Sequence, residues 1–287
     1  MAKSNTRKPS ADREHLVSVI VTTRNEGDVI ERLLKSVKDQ THKKLEIIVV
    51  DNQSSDATKA ISRKYTTSVF DFGPERSAQR NYGARKAGGE YLLFLDADME
   101  LTPQVIEECL NIVQRRERVG AASILEDSVA GTFWEKVKAY ERSFYNLEGD
   151  ETTDAARFFK KELFWDLKGY DETITGPEDW DLTERLRKAG YTVEVVRSKI
   201  LHYERVKSIY SLLRKKYYYG LKSHRYLFKQ RVSPASPKTL LFLRPVFCKN
   251  WKVLLAHPVL AILMYFMLFG EVLAGGLGFL VGKIRNL

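Results

Sequence analysis

The sequence predicts an α/β domain with a mostly parallel sheet, continued by a basic amphipathic segment and a long apolar helix. Three observations carry the prediction. Short continuous apolar runs rich in β-branched residues alternate with helical periodicity over the first hundred residues, the pattern of parallel strands covered on both faces. Charge is unevenly spread: the 287 residues sum to +10, yet residues 1–196 hold 30 basic and 35 acidic side chains, residues 197–231 hold 11 and 1, and residues 232–287 hold 6 and 1. From 253 to 282 the chain is almost wholly apolar, with His257 and Glu271 its only polar side chains of consequence. This composition excludes collagen-like, disulfide-rich and disordered classes.

Residues 1–14 are polar, carry no signal-peptide pattern and read as a flexible start. Residues 16–21 (LVSVIV) predict the first strand, and Val29, Ile30, Leu33, Leu34 and Val37 then repeat at helical spacing. Residues 45–50 (LEIIVV) predict the second strand, ending in Asp51-Asn52-Gln53-Ser54-Ser55-Asp56 before a helix that starts near Ala57. Residues 91–95 (YLLFL) predict a third, ending in Asp96-Ala97-Asp98. All three runs finish in acidic, amide or hydroxyl residues, at the edge of the sheet where such folds bind ligands. No G-x-G-x-x-G follows the first strand and no G-x-x-x-x-G-K-[ST] occurs, which argues against dinucleotide and P-loop phosphate cradles. A helical pattern at Leu182, Leu186 and Ala189 and a strand-like run at 193–201 close the domain at about 205.

Residues 206–252 read as a membrane-interface segment. Within 208–229, Ile209, Leu212, Leu213, Tyr217, Leu221 and Phe228 fall near one face, with Arg214, Lys215, Lys222 and Arg225 among the rest, the pattern of a helix lying in the headgroup layer. Ser233-Pro234-Ala235-Ser236-Pro237 breaks the pattern, and a shorter segment at 240–247 is interrupted by Pro245. As a helix, 253–282 would run about 45 Å, enough for the roughly 30 Å of hydrocarbon. It reads as one transmembrane span or as a re-entrant hairpin broken near Ala274-Gly275-Gly276, followed by a short tail at 283–287. Basic residues crowd its N-terminal side, which puts the domain in the cytoplasm. The basic excess therefore points to an anionic membrane surface rather than nucleic acid. Gly270, Ala274, Gly278 and Gly282 recur every four residues, a stripe suited to homo-oligomer contact or to a second helical segment. Cys109 and Cys248 offer no disulfide framework and fit a reducing compartment.

Asp96 and Asp98, at i and i+2 of a strand end, can approach one hard cation that takes its remaining ligands from substrate phosphates and water. Two solvated loop acids would satisfy the same triplet. The context is more specific. Residues 19–26 (VIVTTRNE), the turn at 50–56 (VDNQSSD), Ala78-Gln79-Arg80-Asn81-Tyr82-Gly83 and the strand YLLFLDAD come first. Lys168-Gly169-Tyr170-Asp171-Glu172 and Gly176-Pro177-Glu178-Asp179-Trp180-Asp181-Leu182, with Arg185-Leu186, then follow in order. Over residues 16–205 this succession resembles glycosyltransferase family 2.

The resemblance implies a Rossmann-like GT-A fold over 15–205, a UDP- or GDP-sugar donor and inversion at the anomeric carbon. It implies Asp179 as the general base, with Glu178 the next choice; a first-turn acid of a helix would explain Asp179 without catalysis. Thr23, Glu26 and Asp51 would contact base and ribose, although an Asx turn accounts equally for Asp51 and Asn52. Arg80, and also Arg76, would balance pyrophosphate charge. Asp96 and Asp98 would hold Mg2+ or Mn2+, with Asp96 also on the nucleotide sugar and His202 a further ligand that favours Mn2+. Trp180 would stack on an acceptor sugar or pack its loop. No clear Gln-x-x-Arg-Trp is present, which favours single transfers over processive synthesis. Inverting transfer needs one base and no carboxylic acid for the leaving group, because the leaving charge falls on phosphate. Tethering at the bilayer suggests a lipid-linked acceptor such as a polyprenyl or dolichyl phosphate or a lipid-linked glycan. Two rivals stand beside this reading: a sugar-1-phosphate nucleotidyltransferase, and a non-catalytic membrane-anchored module that binds sugar nucleotides or lipid.

Overall fold

The computed structural model describes residues 15–147 and 155–285, so the start at 1–14 and the last two residues of the tail lie outside the described residues. The strands are β1 (Val17–Thr23), β2 (Leu45–Asp51), β3 (Val69–Asp71), β4 (Tyr91–Asp96), β5 (Met99–Leu101), β6 (Val119–Val129), β7 (Ala156–Lys160) and β8 (Thr192–Tyr203). The helices of the sheet domain are α1 (Ile30–Lys38), α2 (Thr58–Ser62), α3 (Arg76–Lys86), α4 (Val105–Arg115), α5 (Phe133–Ser143), α6 (Lys161–Asp166) and α7 (Glu178–Lys188). They are followed by α8 (Ile209–Gln230), α9 (Pro245–Lys249), α10 (Trp251–Ala256) and α11 (Pro258–Arg285).

Among the described residues the strands form one sheet in the order β3-β2-β1-β4-β7-β6-β8-β5. It is parallel from β3 to β4. β7 then runs antiparallel to both β4 and β6, β8 parallel to β6, and β5 antiparallel to β8. The sheet is thus mixed, with its parallel half formed by the strands that the apolar runs announce. Successive residues of a strand face opposite sides. Val17, Val19, Val21, Ile47, Val49, Leu93 and Leu95 accordingly join α1 and α4 in one core, while Ile20, Ile48, Val50, Leu92 and Phe94 join α3, α6 and α7 in another. Both faces of β1 are buried throughout, which is why its run shows no polar alternation. Gly83 lets α3 lie hard against this sheet, since a side chain there would strike Ile20 and Val50.

A third core holds the C-terminal helices to the domain. Val137 and Phe144 from α5 and the turn after it, Leu212 from α8, Val246 and Phe247 from α9, and Met264, Met267 and Leu268 from α11 pack together. α8 and α11 run side by side in the same direction: Leu213 lies against Gly270, the Tyr217 carbonyl against Gly278 and the Leu221 carbonyl against Gly282.

Three expectations for this region need correction. The apolar stretch is not a hairpin, because α11 continues unbroken through Ala274-Gly275-Gly276. The helix starts at Pro258 rather than at 253: a proline cannot donate inside a helix but suits its first turn, so α10 stops at Ala256. The small-residue stripe at Gly270, Ala274, Gly278 and Gly282 is not open to a second copy along its length, since α8 covers its glycines and Gly278 and Gly282 are buried. β8 also runs longer than 193–201, reaching from Thr192 to Tyr203 and carrying His202 into the sheet.

Candidate active site

The site forms where β1, β2 and β4 end. In register, Thr22 stands beside Asp96 and Thr23 beside Asp51. The motif on α3 organises this edge residue by residue. Gln79 Nε2 donates to the carbonyls of Val50 (2.8 Å) and Thr23 (3.2 Å), pinning α3 to two strand ends. Asn81 holds the loop before α7, its Nδ2 donating to the Tyr170 carbonyl at 2.8 Å and its Oδ1 accepting from the Tyr170 amide at 2.9 Å. Between them Arg80, only 1% exposed, reaches Asp179 Oδ1 at 2.6 Å through Nη1 and Asp96 Oδ1 at 3.2 Å through Nη2. One guanidinium therefore couples the end of β4 to the first turn of α7. At this depth it links two carboxylates. Arg76, one turn earlier, is 39% exposed and lies 3.8 Å from Asp96 and 4.0 Å from Glu178.

Asp96 faces three guanidiniums, with Arg157 from β7 at 3.7 Å as the third. Burial opposes its ionisation, but Arg76, Arg80 and Arg157 hold the carboxyl well below the usual carboxylate range. Asp96 thus anchors the arginines that converge on this edge, beside the role expected of it on the nucleotide sugar and a cation. Asp98 takes the other direction, its Oδ2 lying 3.5 Å from His202 Nε2. His202 Nδ1 is 2.7 Å from Glu126 Oε2. Burial and Arg142 lower the imidazole's pKa, yet Asp98 and Glu126 outweigh them and push it up to about 9. Among the described residues no three His, Cys, Asp or Glu side chains cluster as a ready metal cage. A carboxylate and an imidazole facing each other, with a second carboxylate on the far ring nitrogen, nevertheless fit an ion that takes its remaining ligands from a diphosphate.

The two acids at the start of α7 separate by environment. The Glu178 side chain is 4% exposed, and its Oε2 accepts from the Gly176 amide at 2.6 Å. Burial, and then the neighbouring Asp179 charge, push its pKa up. The Asp179 side chain is 19% exposed, and among the described residues its Oδ2 has no hydrogen-bonding partner. The remaining expected nucleotide contacts are placed as follows. Thr23 Oγ1 is buried without a hydrogen-bond partner. Asp51 is fully buried and spends its carboxylate on Ser54, accepting from the amide at 2.7 Å and from the hydroxyl at 2.5 Å, so the turn accounts for it. Glu26 is paired with Arg205, which also holds Asp28 at 3.2 Å.

Sequence reasoning missed Glu126, Arg142 and Arg157. Glu126 joins Arg157 at 2.6 Å, Arg142 at 3.0 Å and His202. A signal for it exists, because the run at 121–125 (AASIL) ends in Glu126-Asp127 just as the other strands end in acids. Nothing in the sequence around Arg157 marks it out. Beside this network opens a cavity of about 560 Å³, with Glu126, Arg157 and Trp180 on the sheet side, Tyr219 on α8, and Glu271 and Gly275 on α11. Trp180, next to Asp179, thus looks into the space between the domain and its last helix.

Residues 18–169 match the model of the family described as Glycosyl transferase family 2. Glycosyltransferase AglE of Haloferax volcanii is 28% identical over 195 residues, covering 62% of this chain and 63% of its own. The GalNAc(5)-diNAcBac-PP-undecaprenol beta-1,3-glucosyltransferase of Campylobacter jejuni is 37% identical over 95 residues, or 30% of each chain. The chain therefore spans less than two thirds of the length of either relative. Among solved structures, mannosyltransferase PcManGT from Pyrobaculum calidifontis, in complex with GDP-Man and Mn2+, superposes with a TM-score of 0.55 at 21% identity, covering 94% of this chain and 79% of that one. A fragment of S. aureus TarS in complex with UDP-GlcNAc gives 0.56 at 17%, covering 94% and 91%. These likenesses establish the GT-A fold. With the family match extending over more than half of the sequence, and with Asp96 and Arg80 inside the matched span joined to Asp179 beyond it in one network, the chain belongs to glycosyl transferase family 2.

Proposed function

We propose that the chain transfers one sugar, with inversion, from a nucleotide-diphosphate sugar to a lipid-linked acceptor at the cytoplasmic surface of a membrane. The observation that carries this reading is the placement of Asp179. It is oriented by Arg80 through one oxygen and sits beside Trp180, which lines a cavity continuing to the apolar helix α11. In the reaction an acceptor oxygen forms the new bond to the anomeric carbon as the bond to the diphosphate breaks. Asp179 Oδ2 takes the acceptor's proton. Glu178, buried and bonded to the Gly176 amide, positions the loop that carries Asp179. Arg76, the more exposed of the two α3 arginines that face Asp96, reaches the departing diphosphate, and the orphaned hydroxyl of Thr23 suits a nucleoside. Asp98 and His202 would hold a divalent ion, Mg2+ or Mn2+, whose Lewis acidity neutralises the leaving diphosphate.

The membrane contact follows from the packing of α11. One face is buried at Ala261, Met264, Leu268, Glu271, Gly278 and Gly282. The other leaves Val259, Ile262, Phe266, Phe269, Leu273, Leu277, Leu280 and Ile284 exposed along its whole length. Glu271 is paired with Lys138 of α5 at 3.0 Å and Lys216 of α8 at 2.9 Å. A crossing α11 would drag its partner α8, with Arg214, Lys215, Lys222 and Arg225, into hydrocarbon at roughly 2.5–3.5 kcal/mol for each charge at the centre. The reading is therefore a monotopic anchor, with α11 lying in the interface and its bare stripe in lipid. Labelled nucleotide sugars incubated with membrane lipid extract and Mg2+ or Mn2+ test the activity. Wild-type chain is expected to label a lipid product, and Asp179→Asn to lose about 10²–10⁴ of the rate. Transfer at near wild-type rate by the Asn variant would refute the base assignment, and no transfer from any donor would refute the activity.

A further inference from the structure

We propose that Arg244 is the phosphate-binding residue of an acceptor subsite, holding the phosphoryl group of a prenyl-phosphate-linked acceptor in the cavity between α7 and α11. The acceptor role rests on the reaction proposed above; the binding itself does not.

Buried cations are almost always paired, because an uncompensated interior charge is costly. The other cations of this interior obey that rule. Arg80 pairs with Asp96 and Asp179, Arg157 with Glu126, Lys138 and Lys216 with Glu271, and Lys238 with Glu184. Arg244 departs from it. It is 4% exposed, no carboxylate of the described residues lies within ion-pair distance, and its Nε is buried without a hydrogen-bond partner. No nearby acid is left over to serve it, since Glu271 is held by two lysines and Glu141 by Lys138 and Tyr145. Among the described residues, then, no carboxylate compensates Arg244.

Two aromatic rings set the guanidinium in place. Its carbon lies 4.8 Å from the Tyr145 ring centre and 5.7 Å from that of Trp180. Stacking of this kind fixes the plane of an arginine and leaves its edge for the paired oxygens of a phosphate. The backbone is equally fixed: Arg244 precedes Pro245 at the start of α9, and Val246 and Phe247 are fully buried in the third core. Arg244 lines the cavity, whose far wall is Val272, Gly275, Gly276 and Phe279 of α11. At about 560 Å³ the space is larger than a phosphate needs and is in the range of small-ligand sites. A wall contributed by α11, whose other face is bare and apolar, suits an isoprenoid chain, and Trp180, the residue after Asp179 in the first turn of α7, packs on the guanidinium that would hold the head. Bulk phospholipid headgroups would meet the exposed lysines of the surface, not a buried arginine.

The test is binding of the full chain in neutral detergent micelles to farnesyl phosphate and to farnesol, which differ only in the phosphate. The wild type is expected to prefer farnesyl phosphate by at least about tenfold, the worth of one charge-assisted hydrogen bond. Arg244→Met should reduce that preference to less than about twofold, and Arg244→Lys, which keeps the charge but loses the fork, should fall between. An unchanged preference in Arg244→Met overturns the proposal, as does equal binding of phosphate and alcohol by the wild type. Inorganic phosphate binding as tightly as farnesyl phosphate would show that no lipid chain is recognised. Loss of phosphatidylglycerol-vesicle binding in Arg244→Met, with farnesyl phosphate binding intact, would assign the residue to bulk headgroups; either result also overturns it. Should Arg244→Met fail to fold by thermal melt, Arg244→Lys decides. None of these readouts requires glycosyl transfer, so this inference and the proposed reaction can fail separately.

Discussion

Removing the Arg80 guanidinium would strand two carboxylates at once, since Asp96 and Asp179 close on it from different elements. Breaking a buried ion pair by deleting one partner typically costs about 3–5 kcal/mol. Arg80→Met should therefore lower the thermal midpoint strongly, whereas Arg76→Met, at a far more exposed position, should cost less than about 1 kcal/mol. Equal shifts in the two melts would show that Arg80 is not the link between β4 and α7. Apart from Glu126, the acids of the site were legible at this scale because each follows an apolar run or a glycine-bearing turn. What each acid faces was not legible. Asp96 and Asp98 are two residues apart, yet one meets arginines and the other a histidine, because their partners arrive from β7, α3 and β8, far away in sequence. Asp51 shows the converse, a carboxylate in the family's motif that its own turn consumes.

The seam between α8 and α11 belongs to the scale of elements. Gly278 is buried, and a Cβ there would strike the Tyr217 carbonyl and crowd Gly220, so Gly278→Leu forces two backbones apart. Such overpacking costs roughly 1–3 kcal/mol or more. The variant should melt earlier without any change of oligomeric state in detergent; a shift of oligomer at constant melting temperature would restore the intermolecular reading of the stripe. The four-residue spacing of small residues was plain in the sequence, but a stripe does not name its partner, and here the partner is a helix that reads as a headgroup-layer element in isolation. Charges complete the seam on the domain side. Lys229 meets Asp171 at 2.6 Å and Lys222 meets Glu75 at 2.8 Å. Burial opposes ionisation of Asp171, but Lys229 and Thr173 bring its pKa down to about 2. A depressed carboxylate contributes stability above its unfolded value of about 3.9 and loses it as pH falls through about 2. Amide protection across Ile209–Gln230, taken relative to the intrinsic exchange rate at each pH, should therefore fall between about pH 4 and pH 2, and Asp171→Asn should flatten that dependence; an equal acid response in both proteins would exclude this clamp. β3, β5 and β7 went unseen for a simpler reason: runs of three to five residues carry too few positions for a period to show.

At the scale of the whole molecule, the charge asymmetry has two uses. Residues 197–287 carry 17 basic and 2 acidic side chains against a domain of net −5, and the opposite signs meet. Arg205, Lys222, Lys229 and Lys238 all end on acids of the domain. The positive excess is thus partly the adhesive that docks the C-terminal helices, and in the proposed reading the lipid contact falls to the apolar stripe of α11. That division supports the monotopic reading proposed above. A helix of 28 residues is about 42 Å long and could cross a bilayer, but only by leaving the third core and the Glu271 pairs behind. Docked as it is, both of its ends stay on the side of the domain. Single cysteines replacing Lys252, in the first turn of α10, and Lys283, near the end of α11, in a Cys248→Ser background distinguish the two arrangements. Both positions are exposed, and the remaining Cys109 is buried. With the domain facing outward on sealed inverted vesicles, a membrane-impermeant maleimide should label both cysteines at similar rates. Protection of the Lys283→Cys position until detergent is added would mean that α11 spans, and would require α8 to have released it.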